Sequence, residues 1–373
     1  MSEAISGEIV PAERGGAPVR QVPQHVIDEY LSPGARKLVM RGIPPNTLAA
    51  YAWQWHLFRR WCEEYSGLPG KGRTFAPASE HTMIEYIHTW EDRPIHRRCH
   101  VPQCGHRPAP STLWIWYSAV RFYHGMGTPP LPWEGGKKLA LAMKAYGEDM
   151  REAGWKPVKA PRLYDPEIMA MVDAFDLENP KHLRDRALVL TNLYTAARAS
   201  DLSTYRIDDV TRMPKGLQLS LNLSKTNKSG GRRGEIRRIF YDHKKPAYCG
   251  VTAVTEWRAW LAGQGITQGA LFRPFNKYGQ LVRGAPDAIT YRMSPSKCTL
   301  AVKLAAIRAG LENADEVTCH ALRRSQATRL RERGVDPIEI ARAHGWVPGG
   351  SVLEYLEEAE GWSAEAPGAS AAL

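Results

Sequence analysis

The 373-residue sequence has no apolar run long enough to cross a membrane, and its N-terminus lacks a signal-peptide pattern. Its six cysteines do not form the dense framework of a small secreted protein. These absences predict a soluble protein of the cytoplasm. With 43% hydrophobic and 24% charged residues, the chain can still bury ordinary globular cores, and its length indicates two or three domains.

Acidic residues are in the minority, so the formal net charge is +11. A basic chain favours a polyanionic partner, most commonly nucleic acid, although many soluble proteins are basic for no specific reason. The distribution of charge is more informative. Residues 357–373 contain four glutamates and no Lys or Arg, so the rest of the chain carries +15. This acidic tail (Glu357, Glu358, Glu360, Glu365) is expected to contact protein rather than DNA.

The composition divides the chain before that tail into four parts. Residues 1–26 lack periodicity and are predicted to be a flexible tail. Residues 27–153 show helical spacing and predict a small helical bundle. Residues 154–163 begin with the sequence GWKPVKAPR and are predicted to be a basic linker. Residues 164–356 combine helices with alternating strand patterns, which predicts a mostly helical domain with a small antiparallel β-sheet.

Two aspects of this division concern individual residues. In the first domain, the aromatic stripe Tyr51, Trp55, Phe58 and Trp61 is expected to form core rather than a base-stacking surface. In the second domain, the strands are predicted at Gly216–Ser224 and Glu235–Phe240. Helix signals punctuate its last part, with caps predicted at Thr318 and Asp336, helix ends at Gly334 and Gly345, and a capping box at Ser351 and Glu354.

Six residues in the second domain form an ordered set: Arg198, Lys225, His320, Arg323, Trp346 and Tyr355. They are the groups that metal-free phosphoryl transfer to and from DNA requires. Arg198 and Arg323 are candidates to stabilise the negative charge of the transition state, because guanidinium groups are always charged and bind two oxygens at once. His320 and Arg323 lie three residues apart, on one helix face.

The other members supply the proton transfers and the nucleophile. Tyr355 is the candidate nucleophile that becomes covalently linked to the strand. Lys225 is the candidate general acid for the leaving 5′-oxygen, with Lys228 as its rival. His320 is predicted either to accept the tyrosine proton or to hydrogen-bond the phosphate, and Trp346 offers an N–H donor and a packing surface. Because the covalent link conserves bond energy, no cofactor is predicted.

This set resembles the tyrosine recombinase (phage integrase) family. The matching stretches are TAARASDL, SKTNK, HALRR, HGW and SVLEY, and the resemblance covers about residues 160–360. It implies the roles above, with Asp201 as the acidic companion of Arg198 and with Trp346, rather than His344, in the place of the family's second histidine. It also implies a simple two-domain architecture, two protomers on each inverted-repeat site of double-stranded DNA, and four in the synapse.

Basic residues beside this set are predicted to contact phosphates, which position a protein on DNA without reading its sequence. The candidates are Lys156, Lys159, Arg162, Lys228, Arg232, Arg233, Arg237 and Arg238. An ordinary solvated surface is the alternative. Elsewhere, Cys99, Cys104 and His106, together with His96 or His100, are candidates to hold a structural zinc ion, with a polar loop and incidental thiols as the alternative. The active site itself is predicted to use no metal.

Two other functions remain open at this level. A type IB topoisomerase uses the same residues to relax supercoils as a monomer, whereas a non-cutting DNA-binding regulator keeps the fold without the reaction. The compact length argues against the topoisomerase, and the intact residue set argues against the regulator.

Overall fold

The computed structural model describes residues 9–10, 19–20, 32–64, 73–91, 107–125, 136–157, 159–221, 235–284 and 291–346. The chain divides into two compact units, Met1–Val158 and Lys159–Leu373. The boundary falls inside the segment predicted as a basic linker. Among the described residues, no helix has the combination of length and apolar character that a bilayer crossing requires.

The first unit is helical, as its periodicity predicts. Its described helices are α1 (Pro33–Arg41), α2 (Pro45–Glu64), α3 (Glu80–Glu91), α4 (Pro110–Gly125) and α5 (Lys137–Glu152). In the segment predicted as a flexible tail, β1 (Ile9–Val10) pairs antiparallel with β2 (Val19–Arg20), a contact that the sequence does not predict.

The core of the first unit is aromatic. Trp55, Phe58 and Trp61 of the predicted stripe are buried on one face of α2. Tyr86 from α3 meets Phe58 edge-on at 5.1 Å, and Trp55 stacks on Tyr123 of α4 at 5.0 Å between ring centroids. Large rings bury much apolar area per residue, so few helices suffice to make this core. The prediction that the stripe forms core is confirmed.

The second unit combines helices with a three-stranded sheet. Its described helices are α6 (Asp165–Asp173), α7 (Pro180–Thr195), α8 (Ala199–Thr204), α9 (Gly250–Gly263), α10 (Pro295–Arg308), α11 (Cys319–Glu332) and α12 (Pro337–Ala343). The strands β3 (Val210–Met213), β4 (Gly216–Leu221) and β5 (Glu235–Phe240) are antiparallel in that order, with Leu219 opposite Arg237. The predicted fold class is confirmed; β3, α9 and α10 are not predicted from the sequence.

The helix that matters most for the site begins and ends where its sequence indicates. Thr318 caps α11 by accepting the His320 N–H at 3.2 Å, and Gly334 follows the helix with φ of +80°. Asp336 caps α12 through the N–H groups of Ile338 and Glu339. Helix α7, buried along most of its length, brings its C-terminal end to α11.

Candidate active site

The loop between α7 and α8 carries Arg198 and is fixed by its backbone. Helix α7 ends in Ala196, which is left-handed with φ of +44° and fully buried. The side chain of Asn192 donates to the Ala197 carbonyl at 2.8 Å. Asp201, also buried, accepts the Arg198 N–H at 3.0 Å. The predicted companion carboxylate therefore contacts the backbone of Arg198, where it fixes the start of α8.

The guanidinium of Arg198 contains one donor atom that the described part of the fold does not use. Its Nη1 atom is buried and has no hydrogen-bond partner within the part of the chain that the structure describes. A buried donor without a partner is costly, because it has lost its hydration and gained nothing in exchange. Such a donor suits an anionic ligand that carries its own acceptor oxygens.

His320 lies in the first turn of α11, where helix N–H groups point toward an incoming anion. Although its ring reaches solvent, partial desolvation lowers its pKa, and the cationic groups of Arg323, Arg324 and Arg198 lower it further. The free protein therefore favours the neutral imidazole at physiological pH. In that form the ring can accept a proton, one of the two roles predicted for it.

Arg323 is held from two sides. Its side chain is 3% exposed, its Nη1 donates to the Ala196 carbonyl, and its guanidinium carbon lies 4.2 Å from the ring centroid of Trp346. Trp346 is itself buried against Ala196, Ala327 and the α12 residues Ile340 and Ala341. A stacked guanidinium loses little further freedom when it binds a ligand. The Arg323 guanidinium is thus held in one orientation before any ligand binds.

His344 is the residue most easily mistaken for part of this set. It is 3% exposed at the end of α12, where its Nδ1–H donates to the Ile340 carbonyl at 2.8 Å. Burial lowers its pKa to about 4, and the charges of Arg237 and Arg323 act in the same direction. The structure places it as a helix-terminal packing residue, as predicted, with its ring 5.3 Å from that of Trp346.

Two of the basic residues predicted to contact phosphates have side chains that are buried or already paired. Arg237 points into the core from β5 and is fully buried, because strand side chains alternate and its neighbour Arg238 takes the exposed face. Arg162 is bound by Glu332 and stacks on Tyr164 at 4.4 Å, so its charge is already compensated.

The other predictions divide between exposed and undescribed residues. Lys156 and Lys159 are exposed, as phosphate contacts would have to be. The remaining candidates lie outside the described residues: Lys225, Lys228, Arg232, Arg233 and Tyr355. The same holds for Cys99, Cys104 and His106. Elsewhere in the described ranges, no group of three or more His, Cys, Asp or Glu side chains is arranged to hold a metal ion.

Arg324 and Asn192 contribute to this site but are not singled out by the sequence. Arg324 follows Arg323 directly, and a second arginine in HALRR suggests a solvated helix face rather than a buried contact. Asn192 lies among apolar residues of α7, where a buried amide needs a partner. That requirement is the signal that points toward the Arg198 loop.

Comparison with known proteins agrees with this geometry. The phage integrase family model matches residues 161–361, more than half of the sequence. The chain therefore belongs to the phage integrase family, the family of tyrosine recombinases. It is 27% identical over 335 residues to an integrase/recombinase xerD homolog of Selenomonas ruminantium, covering 89% of this chain and 87% of the relative.

Solved structures share the fold. The XerH site-specific recombinase in a post-cleavage complex with palindromic difH substrate superimposes with a TM-score of 0.51 at 14% identity, over 88% of this chain and 81% of XerH. A lambda integrase dimer bound to a COC′ core site gives a TM-score of 0.50 at 16% identity, over 86% and 74% of the two chains. At these identities the likeness establishes the fold alone.

Proposed function

We propose that the chain is a site-specific DNA recombinase that cuts and rejoins strands through a 3′-phosphotyrosine. The observation that carries the proposal is the convergence of Arg198, His320 and Arg323 at the junction of α7 and α11. Two arginines and a histidine, with a buried Arg198 Nη1 that has no partner among the described residues, suit the phosphodiester transition state, which gains charge on its non-bridging oxygens.

Each step of the proposed reaction breaks one phosphate ester bond and forms another. The Tyr355 oxygen attacks the scissile phosphorus, and the bond from phosphorus to the 5′-oxygen breaks. The phenolic proton passes to His320 or to water, and Lys225, with Lys228 as alternative, protonates the departing 5′-oxygen, which leaves as a 5′-hydroxyl. A 5′-hydroxyl of a partner duplex then attacks the phosphotyrosine and releases Tyr355. Arg198 and Arg323 hold the phosphate oxygens throughout, and no cofactor takes part.

We further propose that residues 27–153 bind core DNA, residues 164–356 catalyse, and the partner is a double-stranded inverted-repeat site. The XerH structure holds a palindromic substrate and the lambda integrase structure is a dimer on DNA, which supports one dimer per site. Four protomers would form the synapse. Of the proposed phosphate contacts, Arg238, Lys156 and Lys159 are exposed and available.

Incubation with a suicide substrate, whose cleaved 5′ end is lost, tests the chemistry. Wild-type protein is expected to become covalently attached to the DNA, whereas Tyr355→Phe binds the same site and forms no adduct. An adduct that persists in Tyr355→Phe would contradict the assignment of the nucleophile. Supercoil relaxation without any site requirement would instead favour a topoisomerase, and binding without any adduct a regulator.

Deletion of residues 357–373 tests the proposed role of the acidic tail. Because this segment carries only negative charge, it is expected to support contacts between protomers and not contacts with phosphates. Gel-shift titration should show weaker assembly on a full site with nearly unchanged binding to a half-site. Equal loss of both would argue against the role.

A further inference from the structure

Two consecutive arginines of α11 each bind a backbone carbonyl, but of different segments. Arg323 donates to Ala196, which belongs to the Arg198 loop. Arg324 donates to Ala160, in the first residues of the second unit, and its side chain is 6% exposed. One helix thus holds the catalytic loop on one side and the start of the unit on the other.

The start of the unit, residues 159–165, is here called the connector, and it is attached along α11 at further points. The Leu163 N–H donates to the buried Ser325 hydroxyl at 2.8 Å. The carboxylate of Asp165 pairs with Arg329, and Arg162 pairs with Glu332. These contacts follow the helix for more than one turn, so a displacement of the connector acts directly on α11.

Arg324 differs from the other attachments because its charge also reaches the site. It is one of three guanidinium groups that lower the pKa of His320, together with Arg323 on the same helix and Arg198 on the α7–α8 loop. Ser325, by contrast, binds the connector without any charge. Substitutions of Arg324 and of Ser325 can therefore separate mechanical support of the connector from the electrostatic effect on His320.

We propose that Arg324 is a positioning residue, which fixes the connector to α11 through the Ala160 carbonyl and places its own charge beside the site that contains His320. It does not touch the reacting atoms. The inference rests on the proposed strand cleavage for its functional meaning, because a neutral His320 matters only if that ring receives a proton. Its structural content, a cation shared between connector and site, stands independently of cleavage.

Three variants of the full-length protein separate the alternatives. Arg324→Met removes the charge and the donor, Arg324→Lys retains the charge, and Ser325→Ala removes one uncharged attachment. The titration of His320 is followed by NMR of ¹³C-labelled histidine, with the signal assigned by its absence in His320→Gln. Hydrogen–deuterium exchange reports on the amides of the connector, and the suicide substrate reports on adduct formation across pH.

Arg324→Met is expected to raise the pKa of His320 and to speed amide exchange in the connector. If neutral His320 is the active form, adduct formation then becomes several-fold slower near pH 6, with a smaller change near pH 8. Arg324→Lys should leave the His320 titration near that of wild type. Ser325→Ala should speed exchange in the connector without moving the titration.

Unchanged titration and unchanged exchange in Arg324→Met would overturn the proposal. A shift of the His320 titration in Ser325→Ala as large as in Arg324→Met would also overturn it, because support of the helix alone would then explain the effect. If wild-type protein forms no adduct at any pH, the proposed function fails, while the titration and exchange data still decide the role of Arg324.

Discussion

The two units bury different kinds of side chain. Among the described residues of the first unit, no Asp, Glu, Lys or Arg is buried, and the core consists largely of aromatic rings. The described part of the second unit buries eight charged side chains: Arg184, Asp185, Arg186, Asp201, Arg237, Arg273, Arg323 and Arg324. The first core consists mainly of packed rings, whereas the second also encloses charged groups, among them Arg323 of the candidate site.

This difference has an energetic reason. Removing a charge from water costs several kcal/mol unless partners replace its hydration. Arg184 pairs with Asp185, and Arg186 pairs with Glu256, so these charges are compensated locally. Two buried arginines of α11, Arg323 and Arg324, bind backbone carbonyls, of Ala196 and Ala160. A carbonyl replaces part of the hydration of a guanidinium group without adding a negative charge.

The largest effect is expected from removing a buried cation of the site. Arg323→Ala should slow adduct formation by about 100- to 1000-fold, the usual effect of losing one preorganised charge-stabilising donor. Arg238→Ala, which removes the same charge from the exposed face of β5, is the matched control. It should weaken DNA binding without slowing single-turnover adduct formation. Equal effects of the two variants on adduct formation would contradict the proposed difference between a buried and a surface charge.

The aromatic core should respond in stability rather than in chemistry. Phe58→Ala is expected to lower the free energy of unfolding of the first unit by about 3–5 kcal/mol, because Phe58 is 1% exposed and packed among rings. Trp114→Ala, at a 56% exposed position on α4, should change it by less than about 0.5 kcal/mol. Denaturant titration measures both values, and a loss below about 1 kcal/mol for Phe58→Ala would contradict this account.

A pH-dependent effect on stability is expected from the buried imidazole of the second unit. His344 has a pKa of about 4 when folded and an ordinary value of 6.5, so between these pH values the unfolded chain binds a proton that the folded chain excludes. Stability should therefore fall as pH drops from 6.5 to 4, by up to about 3 kcal/mol from this group. Below pH 4 no further loss comes from it.

His344→Leu should flatten the pH dependence of unfolding in this window. The slope is the relevant readout, because loss of the bond to Ile340 shifts the stability of the variant at every pH. His320, whose pKa is also lowered, contributes a slope of the same sign in both proteins, so the difference isolates His344. An unchanged slope would show that His344 titrates normally in the folded state.

The sequence predicts those features that depend on local pattern. The cap at Thr318 and the three-residue spacing of His320 and Arg323 follow from helix geometry, and both appear in the structure. The spacing of Val254, Trp257 and Leu261 carries the same kind of signal for α9, which is not predicted here. Local pattern therefore carries a signal for elements that bury one face of a helix.

Features that depend on tertiary contacts could not be predicted in this way. Nothing in the run of Arg237 and Arg238 indicates which side chain faces the core, because a one-residue change of register exchanges them. The partners of Arg162 and Arg324 are about 160 to 170 residues away in sequence. Burial of a charge is decided by such distant groups.

The hydrogen bond from Arg323 to the Ala196 carbonyl affects which substitutions this region tolerates. The acceptor is a main-chain oxygen, which every amino acid supplies, so substitutions at position 196 retain it whenever the new side chain fits the left-handed turn. The hydrogen bond itself is therefore lost when Arg323 is replaced, but not when the side chain of Ala196 is changed. Because position 196 is buried and left-handed, a saturation screen should accept glycine there and almost no replacement at the guanidinium end of this contact.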